Sequence, residues 1–200
     1  MAQEPTRERI VACALQLFAE RGFRGTSVAQ IEKAAGLSPG SGSLYAHFRN
    51  KQEVLDAAIE HAMSAAESGF SLLPLLPLGD LRAELTLVAR ASLLMLNSAR
   101  NLLLVLIKEV DQSPEFAGNV RRSVIDRAHL WFSDWLNDKA EAGEIADLDF
   151  PVVTSIYTGA LIQYWVMDDI LGGPPQDVDE DRFIAGWVDS FHRVLTPREA

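Results

Sequence analysis

Apolar residues recur at three- and four-residue intervals along most of the chain, which is the spacing of one buried helix face. Ile10, Leu17 and Phe18, with Ala14 between them, predict a helix from Thr6 to Glu20 that Gly22 stops. Ser27 followed by Gln30 has capping-box spacing and opens a second helix, Val28 to Ala35, with Gly36 as its left-handed terminator. Asn50 and Glu53 repeat the device and open a longer helix through Val54, Leu55, Ala58 and Ala62 to Glu67. The stretch Phe70 to Gly79, with Pro74 and Pro77, cannot continue a helix and is the best internal boundary. Beyond it helices are expected near Asp80 to Ala99, Leu102 to Asp111, Glu115 to Ala142, Phe150 to Leu171 and Asp179 to Leu195. Pro114, Gly143 and Gly172-Gly173-Pro174-Pro175 punctuate them. No alternating run long enough for a sheet occurs, and there is no repeat or low-complexity tract. The pattern predicts an all-α fold: a small N-terminal domain over 1–50, a connecting helix over 51–69 and a larger helical domain over 70–200.

With 200 residues, 48% of them hydrophobic, the chain can bury a full core, which excludes disorder. The longest uninterrupted apolar run, Leu102 to Ile107, is far short of the roughly 20 residues a membrane helix needs. The start Met1-Ala2-Gln3-Glu4-Pro5 lacks a basic, apolar secretion signal, so a soluble cytoplasmic protein is expected. A single cysteine, Cys13, allows no intrachain disulfide and no thiolate metal site by itself. It shares a helical face with Ile10 and Leu17 and reads as a small core residue.

The net charge of −10 argues against nucleic acid until it is divided along the chain. Residues 1–60 balance 7 Lys/Arg against 7 Asp/Glu, so the whole excess of acid belongs to residues 61–200. Between Arg21 and Lys51 five basic residues face Glu32 alone, a local charge of +4. A local basic surface suffices for phosphate contact, and the acidic remainder keeps DNA off the other faces.

That basic stretch contains a helix, a tight turn and a second short helix, a shape that lays one helix in a DNA groove while the helix before it braces the backbone. Ser38, Ser41, Ser43, Tyr45 and His47 crowd hydrogen-bonding groups into ten positions, while Leu44 and Phe48 are spaced to anchor them to a core. Gly40 and Gly42 each weaken a helix by about 1 kcal/mol relative to Ala. They permit close backbone approach to another molecule.

Arg9-Ile10, Leu17-Phe18-Ala19-Glu20-Arg21-Gly22-Phe23, Thr26-Ser27-Val28, Ile31, Ala34-Ala35-Gly36-Leu37-Ser38, Gly42, Leu44-Tyr45, His47-Phe48 and Lys51 follow one another in an order and spacing that chance does not supply. Over residues 7–55 they strongly resemble the DNA-binding domain of the tetracycline-repressor (TetR) family. The resemblance implies a three-helix helix-turn-helix domain followed by a helical ligand-binding and dimerisation domain. It also implies a homodimer on a palindromic operator, released by a small molecule, with no cofactor. Carried over by position, Thr26, Ser27, Tyr45, His47 and Lys51 are phosphate contacts, which position the protein without reading sequence. Base reading falls to Ser38, Pro39, Ser41 and Ser43. The segment from Ser38 to Tyr45 is two residues longer than the commonest family spacing, which leaves open which serine enters the groove. It also lacks Arg, Asn and Gln, the side chains of bidentate base contacts, so part of the specificity is expected from DNA shape.

The last two predicted helices carry broad apolar faces, which the resemblance implies form a four-helix dimer interface with their copies. Ile156, Gly159, Ala160, Met167, Phe183, Trp187 and Phe191 are the expected contacts, Gly159 and Ala160 letting backbones approach; the alternative is packing inside one chain. Trp131 and Trp135 lie four residues apart on one helix face. With Met95, Ile107, Tyr157, Gln163 and Tyr164 they are candidates to line an apolar cavity with a few polar groups, suited to a largely hydrophobic, partly aromatic ligand. Ordinary aromatic core is the alternative for each.

An enzyme of another class is suggested by Asp126-x-x-His129 and Asp189-x-x-His192, which have the i, i+3 spacing of di-iron bundles, with Glu109 and Asp111 as further oxygens. Both pairs use Asp where that motif uses Glu, and no metal site is expected. There is no Gly-x-Ser-x-Gly elbow, phosphate loop or dinucleotide fingerprint, so no catalytic residue is assigned. An activator or DNA-organising protein would share the same surface as a repressor.

Overall fold

The computed structural model describes residues 5–67, 76–109, 118 and 121–196. Its helices are α1 (Thr6–Arg21), α2 (Val28–Ala34), α3 (Lys51–Glu67), α4 (Leu81–Ser98), α5 (Arg100–Glu109), α6 (Arg127–Glu141), α7 (Phe150–Trp165) and α8 (Glu180–Leu195). A π-helical turn, Arg121–Asp126, leads into α6, and another, Val166–Ile170, follows α7. Among the described residues there is no strand, as the apolar spacing predicts. Residues 70–75 of the predicted boundary and the start of the helix predicted from Glu115 lie outside the described residues. No single described helix is long and apolar enough to cross a membrane.

The chain forms two compact units, one built on α1, α2, α3 and α5, the other on α4, α6, α7 and α8. In the first, Ile10, Ala14 and Phe18 of α1 are fully buried with Ile31, Leu44, Val54 and Ala58, and Cys13 packs partly buried against them. The helix α5, which the sequence reading places with the C-terminal part, joins this core through Leu102 and Val105. Its spacing supplies an apolar face but does not name the partner. The Lys108 ammonium donates to the Ala19 and Glu20 carbonyls at the end of α1, where unsatisfied carbonyls and the helix dipole favour a cation.

In the second unit a buried ion pair joins α4 to α6. Glu84 is fully buried, with Oε2 2.6 Å from the Lys139 ammonium, which also donates to Glu144 Oε2 at 2.7 Å. The Leu78 and Gly79 amides donate to the other oxygen of Glu84 at 2.7 and 3.1 Å. Burial pushes this carboxyl up, but the Lys139 hydrogen bond, the two amides and the Lys139 charge together hold it below the usual glutamate value. Burial likewise pulls the Lys139 ammonium down, and its bonds to Glu144 and Glu84 outweigh that and raise it. Indole hydrogen bonds fix α7 to its neighbours: Trp165 Nε1 donates to Asn97 Oδ1 at 2.8 Å, and Trp187 Nε1 to the Tyr157 carbonyl at 2.9 Å.

Candidate nucleic-acid interface

The brace of the interface is α2. The expected capping box is present: the Ser27 hydroxyl accepts from the Gln30 amide at 3.3 Å, and the Ser27 amide donates to Gln30 Oε1 at 2.7 Å. At the other end the Gly36 amide donates to the Lys33 carbonyl and the Leu37 amide to the Glu32 carbonyl, with Gly36 left-handed at φ 72°. These bonds stop α2 and turn the chain into the segment that starts at Ser38.

The second helix of the pair is not a regular one. It is a single 3-10 turn, Ser43–Ala46, preceded by Gly40 and Gly42 at φ 74° and 75°. Two left-handed residues within three positions prevent a continuous right-handed helix from Ser38, a conformation that glycine alone adopts cheaply. Leu44 and Phe48 anchor the turn in the core as expected, and Arg7 lies over the Phe48 ring at 4.9 Å. Ser38, Pro39, Ser41, Tyr45 and His47 are exposed, Tyr45 to 56%, and Ser43 is half-buried.

The serines form a closed chain. Ser41 Oγ donates to the Ser38 carbonyl at 2.7 Å and lies 2.6 Å from Ser43 Oγ, so the proton between the two hydroxyls comes from Ser43. The Ser43 amide also donates to Ser41 Oγ at 3.3 Å, which fills the Ser41 hydroxyl, so the acceptor capacity offered outward is that of Ser43 Oγ. Tyr45 and His47 remain as exposed hydrogen-bonding side chains.

Two expected phosphate contacts are otherwise occupied. Thr26 is buried, and its hydroxyl reaches the Gly22 carbonyl at 2.9 Å and the Leu17 carbonyl at 3.2 Å, so it closes the α1–α2 connection rather than facing a phosphate. The Lys51 ammonium donates to the Phe23 and Thr26 carbonyls at 2.8 and 2.9 Å and stands 4.2 Å from the Phe23 ring. Of its three donors one is left for a phosphate oxygen. Ser27 is exposed but committed to its cap. Arg24, Lys33 and Arg49 are exposed in the same unit and carry its positive charge. Asn50 caps α3 by accepting from the Glu53 amide at 2.9 Å, while the Glu53 carboxylate accepts from the Arg49 amide at 2.6 Å.

Sequence reasoning missed Glu32. It is fully buried, and it accepts from the Gly40 amide at 2.7 Å through Oε2 and from the Leu44 amide at 3.1 Å through Oε1. The signal was available: it is the sole acid between Arg21 and Lys51, beside the core residue Ile31.

In the second unit the candidate ligand residues are only partly gathered. Trp131 and Trp135 stack with centroids 6.3 Å apart, and Phe132 connects them edge-on to Phe191. Tyr157 stacks on Phe191 at 3.7 Å and meets Trp187 edge-on, whereas Tyr164 is buried in a separate stack on Phe183. Met95 is half-buried on α4. Ile107 belongs to the first unit and is exposed, and Gln163 is exposed on α7.

The expected interface face also needs correction. Trp187 and Phe191 are buried inside the unit, on the α8 stripe that includes Ile184, Val188 and Leu195. Phe183 is half-buried on Tyr164, and Ala160 and Met167 are half-buried. The exposed stripe of α7 is Val152, Ile156, Gly159 and Ile162, and on α8 Ala185, Gly186 and Val194 are exposed. The apolar residues of α8 span more than one face, and spacing alone does not say which part turns outward.

The two Asp-x-x-His pairs are engaged elsewhere. Asp189 pairs with Arg82, His192 Nδ1 lies 3.3 Å from the Thr196 hydroxyl, and His129 lies between the Ile125 carbonyl and the Thr158 hydroxyl. Among the described residues no three His, Cys, Asp or Glu side chains are placed to hold a metal ion.

Residues 10–58 match the family model of bacterial regulatory proteins, tetR family. The HTH-type transcriptional regulator UidR of Escherichia coli is 41% identical over 56 residues, 28% of this chain and 28% of that protein. The HTH-type transcriptional repressor KstR2 of Mycobacterium tuberculosis is 46% identical over 50 residues, 25% of this chain and 24% of its own. The shared segment is thus about a quarter of each relative's length. Over the whole chain the fold is similar to that of a transcriptional-regulator protein from Saccharomonospora viridis solved with choline. That likeness has a TM-score of 0.78 at 18% identity and covers 98% of this chain and 100% of the other.

Proposed function

We propose, for a chain whose residues 10–58 match the model of the tetR family of bacterial regulatory proteins, that the protein is a homodimeric repressor which binds a palindromic operator and is released by a small, largely apolar molecule. The observation that carries this reading is the exposed segment Ser38 to His47, anchored by Leu44 and Phe48 and braced by α2 within the matched residues. Tyr45, His47 and the remaining donor of Lys51 contact phosphates, and Ser38, Pro39, Ser41 and Ser43 meet the base edges.

Dimerisation is supported by the exposed apolar stripe of α7, which with Gly186 and Val194 of α8 forms a four-helix contact in two copies. Each head then enters a major groove, with half-sites about one helical turn or a small multiple apart. The ligand reading is supported by the aromatic group around Trp131, Trp135 and Tyr157, and by the choline held in the Saccharomonospora viridis protein of the same fold. A ligand releases DNA only if it favours a dimer geometry with the wrong head spacing, and it binds that geometry better by the coupling energy. Repression is supported by the name of the KstR2 relative.

Sedimentation velocity with a duplex retained from fragmented genomic DNA tests the reading. Two protomers on each palindromic site are expected. One protomer on a site without symmetry would overturn the dimeric reading.

A further inference from the structure

We propose that Glu32 is the positioning residue of the DNA-reading turn, a buried carboxylate that ties both ends of the lengthened segment to α2. The inference rests on the DNA-binding reading above. A carboxylate taken out of water is tolerated only where donors satisfy its oxygens. Here the donors are two main-chain amides, one to each oxygen: Gly40 at 2.7 Å and Leu44 at 3.1 Å. Gly40 is the first left-handed residue of the turn, and Leu44 is its first buried side chain. Between these anchors lie Ser41, Gly42 and Ser43, inside the segment from Ser38 to Tyr45 that is two residues longer than the commonest family spacing. A Cβ on Gly40 would meet nothing within 4 Å, so the chain is open to solvent on that side. The Glu32 carboxylate ties it to α2, while the Ser41 amide and hydroxyl donate only locally, to the Ser38 carbonyl.

Glu32 touches no base or phosphate in this reading; it acts through the path it gives to Ser41 and Ser43. Without it, two amides lose their acceptor and the turn rearranges to hydrate them. Ordering that turn on DNA then opposes binding, and the loss falls on sequence-specific contacts rather than on phosphate attraction. Electrostatics alone gives the opposite sign, because removing a negative charge from a DNA-binding unit tightens its hold on any duplex.

The test uses the full chain with Glu32→Gln and Glu32→Ala, measured against a duplex selected by the parent and a scrambled duplex, with amide hydrogen exchange at Gly40 and Leu44. Gln keeps the volume and one acceptor oxygen, so it carries the test if the Ala variant does not fold. Expected are a loss of about tenfold in affinity for the selected duplex, unchanged or tighter binding of the scrambled one, and faster exchange at both amides. A folded Glu32→Gln chain that keeps the parent's ratio of selected to scrambled affinity within twofold would overturn the inference. A parent that selects no duplex at all would overturn the DNA reading, and this inference with it.

Discussion

Thr26 and Lys51 hold the connection between α1 and α2 by binding its carbonyls, Lys51 at Phe23 and Thr26, Thr26 at Leu17 and Gly22. Replacing Lys51 with Ala leaves two carbonyls without a cation, at a cost of about 1 to 2 kcal/mol. The melting temperature is expected to fall by a few degrees and selected and scrambled duplexes to weaken alike, as thermal melts and paired titrations would register. Unchanged stability with a loss confined to the selected duplex would contradict this role. The serine chain leads to a second expectation. Since Ser43 Oγ donates inward to Ser41 and presents an acceptor outward, its partner in the groove is the amino group of adenine or cytosine. Ser43→Ala should relax the preference at one base position by about tenfold, as competition between single-base variants would reveal. A preference for guanine O6 and N7 at that position, unaltered in the variant, would rule it out. The sequence allowed the crowding of Ser38, Ser41, Ser43, Tyr45 and His47 to be seen, but not the direction of each hydroxyl. That direction depends on which carbonyl the fold brings within reach, as Leu17 is brought to Thr26 across nine residues.

Helix ends were legible wherever a local device writes them. Ser27 with Gln30, Gly36 and Asn50 act within a few residues, and the α1 boundary at Arg21 lies one residue from its expected place. Gly40 and Gly42 weaken a helix from Ser38, but the single 3-10 turn is not legible, because Glu32, which receives the Gly40 and Leu44 amides, lies on another element. The partner of α5 and the outward face of α8 were hidden for a related reason: spacing gives an apolar face but not what covers it. The exposed stripe of α7 yields a test. Ile156→Asp, at a site 62% exposed in the single chain, should leave the fold intact and shift the protein to monomer at micromolar concentration, read by sedimentation velocity. A variant that stays dimeric would remove the stripe from the interface. Within the second unit, Lys139→Met strands the buried Glu84 carboxylate and should cost about 3 kcal/mol of stability. Because the fold lowers the Glu84 pKa, its contribution is present above the unfolded-state value and is lost as pH falls through the lower folded one. The stability gap between parent and variant should therefore narrow in acid denaturation series. A gap that widens on acidification would contradict the pairing.

Across the whole molecule, charge divides as function would require. The acid excess lies beyond residue 60, while residues 1–60 are neutral in sum with a basic centre. Association should accordingly weaken with salt in proportion to the few phosphates neutralised, and the acidic remainder should keep non-specific binding low. That the turn from Ser38 to His47 reads DNA is tested by selection from randomised duplexes at near-physiological salt, by the parent and by a Tyr45→Ala, His47→Ala double variant of unchanged melting temperature. Both side chains are exposed, so their removal tests the surface rather than the core. One palindromic site enriched by the parent and not by the variant is expected. Enrichment of the same site by both chains, or of none by the parent, would contradict it.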